Sequence, residues 1–101
     1  MTVAAIIVNY NAGETLRQCV DVLLKSEILT TVTVVDNASS DRSAENLQDI
    51  YSDEKRAEFQ FNLENVGFAP AVNSVARVSK ADWLLILNPD CILEPGTLGR
   101  L

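Results

Sequence analysis

Val3 to Val8 is an unbroken apolar run that stops on Asn9-Tyr10-Asn11. A strand with one wet face alternates polar and apolar residues. A continuous run rich in β-branched side chains reads as a strand buried on both faces, and such strands belong to parallel sheets covered by helices. The run therefore predicts a chain of βαβ units joined by right-handed crossovers, with polar residues gathered where each strand ends.

The rest of the sequence follows that plan. From Glu14 onward, Leu16, Cys19, Val20, Leu23 and Leu24 fall at i, i+3, i+4, i+7 and i+8, the stripe of an amphipathic helix that Asn11 or Gly13 can open. Cys19 lies in the stripe and reads as a packed core thiol. Val32 to Val35 is a second strand that breaks at Asp36-Asn37-Ala38-Ser39-Ser40-Asp41, and Asp41 is a candidate N-cap for a helix from about Ser43 to Ile50. The charge-dense stretch from Asp49 to Glu58 reads as a solvated helix end and loop without chemistry, followed by a short strand around Phe59 to Asn62. Phe68, Ala71, Val72, Val75 and Ala76 have helical spacing, with Pro70 tolerated in the first turn. Trp83 to Leu87 is the last strong strand, Cys91-Ile92-Leu93 is expected to re-enter the core, and Glu94-Pro95-Gly96-Thr97 is expected to open another helix. The predicted fold class is α/β, a Rossmann-like, mostly parallel sheet in three α/β/α layers.

The chain of 101 residues reads as a single domain, and its formal net charge of −6 argues against nucleic acid or an anionic membrane surface as partner. With no histidine, Ser-His-Asp and Cys-His catalysis and imidazole metal ligands are excluded. Cys19 and Cys91 lie far apart without a CxxC partner, which signals neither zinc nor a disulfide framework and fits reduced thiols in the cytoplasm. No apolar run approaches the roughly 18–20 residues needed to span a bilayer. Because a helix is begun and no closing strand follows, the expectation is a truncated domain that self-associates through its exposed apolar faces and open sheet edge.

Ligands of open parallel sheets bind outside the carboxyl ends of the strands. The residues there are Asn9, Tyr10 and Asn11 after strand one, Asp36, Asn37 and Ser39 after strand two, and Asn88 and Asp90 after the Trp83 strand. Any one group is explained by turn chemistry; together they would line one rim. Asp36 can accept hydrogen bonds from a ribose or base, and Tyr10 offers an aromatic face. GxGxxG and GxxxxGK[ST] are both absent, which argues against NAD or ATP held in those ways. In an acidic domain a diphosphate is better screened by a divalent cation, and the hard carboxylate of Asp90 suits Mg²⁺ or Mn²⁺. A phospho-accepting receiver domain would need an acidic pair after strand one, where the chain has Asn9-Tyr10-Asn11. A catalytically inactive nucleotide-binding or assembly module remains the alternative.

Four stretches, Val8-Asn9-Tyr10-Asn11, Val34 to Asp41, Asn65-Val66-Gly67-Phe68-Ala69 with Asn73, and Leu87-Asn88-Pro89-Asp90-Cys91, resemble in order and spacing the family-2 inverting glycosyltransferases of GT-A fold. Within that family the likeness is to the rhamnosyltransferase-like branch. The resemblance covers nearly the whole chain. It implies the donor-binding half of an enzyme that transfers a sugar from a nucleoside-diphosphate-sugar donor to the hydroxyl of a saccharide or lipid-linked acceptor. It also implies that Val8 to Asn11 line the base and ribose pocket, that Asp36 hydrogen-bonds the base, and that Asn37, Ser39, Gly67 and Asn88 complete the donor site. Asp90 would coordinate the metal, with Asn88 standing where the family has its first carboxylate. Gly67, Phe68 and Asn73 would pack the start of a helix against the donor, with Phe68 itself in the core. The family's general base lies beyond Leu101, so the chain alone is expected to bind donor without transferring sugar. The full enzyme would be cytoplasmic, with room for peripheral attachment at the inner membrane.

Overall fold

A computed structural model describes residues 2–90. The expected return of Cys91 to Leu93 into the core and the helix opening at Glu94 to Thr97 lie outside the described residues. Four parallel strands, β1 (Val3–Asn9), β2 (Leu29–Asp36), β3 (Ala57–Phe61) and β4 (Trp83–Leu87), form one sheet in the order β3-β2-β1-β4. Helices α1 (Glu14–Leu24), α2 (Ser43–Ile50) and α3 (Phe68–Ala76) make the crossovers.

The unbroken apolar run becomes a central strand, as its composition requires. Ala4 to Asn9 are all buried, with Ile6 paired to Thr33 of β2 on one side and to Ile86 of β4 on the other. Alternate residues of β1 serve different cores. Ala5 and Ile7 pack with Leu16, Cys19, Val20 and Leu23 of α1 and with Ala44 and Leu47 of α2. Ile6 and Val8 pack with Val35, Ala71 and Val72 under α3. The α/β/α layering follows from that division. The α1 stripe is buried at Leu16, Cys19, Val20 and Leu23, while Leu24 sits at its margin.

Four local expectations change. The backbone N-cap of α2 is Arg42, in a left-handed conformation at φ 60°. Asp41 acts from one position earlier, its carboxylate accepting the Ser43 amide at 2.9 Å. The charge-dense segment is not idle: Arg56 donates to the carbonyls of Leu24, Ser26 and Leu29 and pairs with Glu54 at 3.1 Å. This guanidinium ties the start of β3 to the end of α1, and β3 begins at Ala57, two residues earlier than its apolar pattern indicates. Phe68 is not core. It lies 46% exposed at the start of α3.

The sheet is covered unevenly. Trp83, Leu84 and Ile86 of the edge strand β4 remain exposed, since α3 lies over β1 and β2. Among the described residues no helix is long and apolar enough to cross a membrane.

Candidate functional site

In this strand order the chain leaves β1 toward β2 on one side and returns as β4 on the other. The loops after β1 and β4 therefore diverge at a topological switch point, where open α/β sheets hold their ligands. A cleft of about 530 Å³ opens there. Its walls are Val8, Tyr10, Ala12 and Thr15 from β1 and α1, Asn37 from the end of β2, Asn65, Gly67 and Phe68 from the approach to α3, and Asn88, Pro89 and Asp90 after β4.

The chemistry of the lining is specific. Tyr10 is 55% exposed, and with Phe68 it gives the cleft two aromatic side chains. Asn37, Asn65 and Asn88 contribute carboxamides, each able both to donate and to accept, and among the described residues Asp90 is the one charged side chain of the lining. Gly67 has φ 87° and ψ 176°, which only glycine adopts without strain. A Cβ there would have room, so conformation and not space requires the glycine. Its amide donates to Asn65 Oδ1 at 2.9 Å, and its carbonyl accepts Asn37 Nδ2 at 3.0 Å. Asn37 Oδ1 in turn accepts Asn62 Nδ2 at 2.9 Å, so one carboxamide joins the ends of β2 and β3 to the start of α3.

Beneath this wall lies a second, buried set of polar groups. Asn9 and Asp36 are register partners at the ends of β1 and β2, and both are buried. Asn9 Nδ2 donates to Asp36 Oδ1 at 2.8 Å and to Ser43 Oγ at 2.9 Å. Turning that amide over would set its oxygen against the Asp36 carboxylate, which fixes its orientation. Asp36 also accepts the Ser39 hydroxyl at 2.7 Å and the Ser39 amide at 3.0 Å. Asp36 thus directs its carboxylate to protein donors, and its neighbour Asn37 faces the cleft.

Of the residues singled out from the sequence, Val8, Tyr10, Asn37, Gly67, Asn88 and Asp90 are brought together as lining. Asn9, Asp36 and Ser39 form the network below, joined by the Asn11 amide, which donates to Ser39 Oγ at 2.9 Å. Asn73 is exposed on α3 and takes no part in the lining. Sequence reasoning missed Ala12 and Thr15, and it quoted Asn65 in the third matching stretch without giving it a role. Thr15 carried a usable signal, since the first turn of a helix that follows a strand faces the same rim.

A divalent cation fits this donor set only in part. Among the described residues no three acidic or thiol side chains are grouped to hold a metal. Asp90 offers a single hard oxygen ligand, which matches the way Mg²⁺ is held by one or two carboxylates together with a ligand's phosphates and water.

The family model for glycosyl transferase family 2 matches residues 4–101. The chain belongs to that family. Glycosyltransferase family 2 is a family of sugar-transferring enzymes, and the fold agrees with solved structures. TarS 1-349 of S. aureus superposes with a TM-score of 0.84 at 19% identity, covering 99% of this chain and 31% of that one. The same S. aureus protein solved in complex with UDP-GlcNAc gives 0.84 at 19% identity, covering 99% and 30%. The mannosyltransferase PcManGT from Pyrobaculum calidifontis, in complex with GDP-Man and Mn²⁺, gives 0.84 at 22% identity, covering 95% and 30%. The chain therefore spans about a third of the length of the solved glycosyltransferases it matches. Among curated proteins there is no significant match.

Proposed function

We propose that the chain is the donor-binding part of an inverting family-2 glycosyltransferase that uses a nucleoside-diphosphate sugar. The observation that carries this is the composition of the cleft at the switch point. Two aromatic side chains and three carboxamides suit a base and ribose, and Asp90, beside Asn88 after β4, adds the one carboxylate of the described lining. Val8, Tyr10, Asn37, Gly67 and Asn88 would meet the nucleotide, with Asn9, Asn11, Asp36 and Ser39 supporting them from below. Asp90 would hold Mg²⁺ or Mn²⁺, and a cation so placed offsets charge on the leaving diphosphate. Solved relatives carry UDP-GlcNAc or GDP-Man with Mn²⁺, which supports a nucleotide sugar and a divalent ion without choosing the base.

Inversion requires a base that deprotonates the acceptor hydroxyl. Among the described lining residues Asp90 is the one carboxylate and is assigned to the metal, so the proposal places that base, and the site for a saccharide or lipid-linked acceptor, in sequence outside the described residues. Self-association through the exposed β4 edge belongs to the same reading.

Thermal unfolding with UDP, GDP or dTDP, with and without Mn²⁺, tests it. A nucleotide at ten times its Kd adds about 1.4 kcal/mol, which raises the midpoint of a domain this size by about 6–10 °C. The expected result is a metal-dependent rise for at least one nucleotide that Asp90→Ala abolishes. No rise with any nucleotide refutes donor binding and leaves an assembly module as the better account.

A further inference from the structure

The loops after β1 and β2 hold each other in both directions. From the first loop, Asn11 Oδ1 accepts the amides of Ser40 at 2.8 Å and Asp41 at 3.3 Å. From the second, Asp41 Oδ2 accepts the amide of Gly13 at 3.0 Å, while its Oδ1 accepts the Ser43 amide and hydroxyl at 2.9 and 2.7 Å. Each loop therefore supplies a side-chain acceptor for the other's backbone.

Backbone conformation gives these bonds a purpose. Asn11 at φ 51°, Gly13 at φ 59°, Ala38 at φ 61° and Arg42 at φ 60° all lie in the left-handed region. A β-carbon there is strained, and such conformations persist only where surrounding contacts over-determine them. The latched residues also alternate with cleft residues: Tyr10 and Ala12 line the cleft, whereas Asn11 and Gly13, next to them, are tied to the second loop. Asn37, which starts the second loop, lines the same cleft.

We infer that Asn11 and Asp41 are positioning residues: together they form a reciprocal latch that fixes Tyr10 and Ala12 relative to Asn37 and so sets the width of the nucleotide cleft. Neither needs to touch the ligand. Asn11 acts through its oxygen on Ser40 and Asp41, and Asp41 acts through Gly13. The inference rests on the donor-site reading above and adds to it the residues that hold the two walls in register.

Calorimetric titration of this chain with whichever of UDP, GDP or dTDP binds most tightly, in Mn²⁺, provides the test. Asn11→Gly keeps the left-handed backbone accessible and removes the acceptor, and Asp41→Ala removes the other half. Each is expected to weaken binding by about tenfold, and the double variant by no more than about twofold beyond the weaker single, because residues of one device couple and do not add. Arg56→Met, which loosens the fold at the far end of the sheet, controls for general destabilisation and is expected to bind within about twofold of wild type. Amide resonances report the geometry directly, since Asp41→Ala should move those of Tyr10 and Ala12 in the opposite loop. If Asp41→Ala fails to fold, Asp41→Asn, which keeps one acceptor oxygen, replaces it. Folded variants that bind as wild type, additive losses, an equal loss in Arg56→Met, or unmoved Tyr10 and Ala12 resonances would each overturn the latch. A wild-type chain that binds no nucleoside diphosphate refutes the donor-site reading instead, and the Tyr10 and Ala12 resonances then decide the latch alone.

Discussion

Asp36→Ala probes the buried network under the cleft. The carboxylate is 3% exposed and accepts from Asn9 Nδ2, the Ser39 hydroxyl and the Ser39 amide. The three donors do not lose equally. Asn9 Nδ2 retains Ser43 Oγ at 2.9 Å, and the Ser39 hydroxyl can rotate toward another acceptor. The Ser39 amide cannot move and is left without its carboxylate. A hydrogen bond to a charged group contributes about 1.5–3 kcal/mol, so one full loss and two partial ones come to about 3–4 kcal/mol. Against a total of about 5–15 kcal/mol for a domain of this length, that is a large fraction. The melting midpoint should fall by about 12–25 °C. Asp36→Asn keeps one acceptor oxygen but turns an N–H toward a donor, and should cost about half as much. Urea denaturation followed by far-UV circular dichroism measures both. A loss below about 1 kcal/mol for Asp36→Ala, with unchanged denaturant dependence, would refute the claim that this carboxylate organises the β2–α2 loop.

Two further outcomes follow from groups away from the cleft. Arg56→Met removes the donor shared by the carbonyls of Leu24, Ser26 and Leu29, and because the site is partly open to water the expected cost is about 1–3 kcal/mol by urea denaturation; a neutral substitution would show that water replaces the guanidinium. Acid should destabilise the chain in a defined way. Partial burial works to raise the Asp41 carboxyl, but hydrogen bonds from the Ser43 side chain and amide and from the Gly13 amide outweigh it and hold the group below its ordinary value. A folded-state value below the unfolded one means that this contribution is complete above about pH 4 and is lost as pH falls through the folded value. Wild type and Asp41→Asn should therefore differ in stability at neutral pH and converge in acid, and parallel pH curves would exclude the mechanism.

The fold was largely legible in the sequence because its signals are strong and local. The β-branched runs at Val3 and Val32 and the α1 stripe from Leu16 to Leu23 became the elements expected of them. The rim of strand ends was legible too, yet the division of labour along it was not. It depends on parity. Asn9 shares a face with Ala5 and Ile7, and Asp36 with Val32 and Val34, so both point toward α1 and α2. Counting alternation would have placed them under the wall and put Asn37 in the cleft. Phe68 misled because helical spacing places a residue on a stripe without saying where the stripe runs off its support, and here Phe68, the first residue of α3, lines the cleft half-exposed. Arg56 was opaque for a different reason. Besides Glu54, its partners are the carbonyls of residues 24, 26 and 29, and no pattern of side chains announces a backbone acceptor.

The central place of β1 has a consequence for how the chain reaches this structure. Its β2 partner arrives after one crossover, with Asn9 opposite Asp36, but its β4 partner lies much farther along, and Thr2 bonds to Asp82 across 80 residues. Closing the longer loop costs only about 1 kcal/mol more in chain entropy than closing the shorter one. The topology is therefore cheap at equilibrium and expensive in time, because distant pairings are the slow step of folding. The most completely buried of the described strands spends that interval with one edge bare, and β4 ends it.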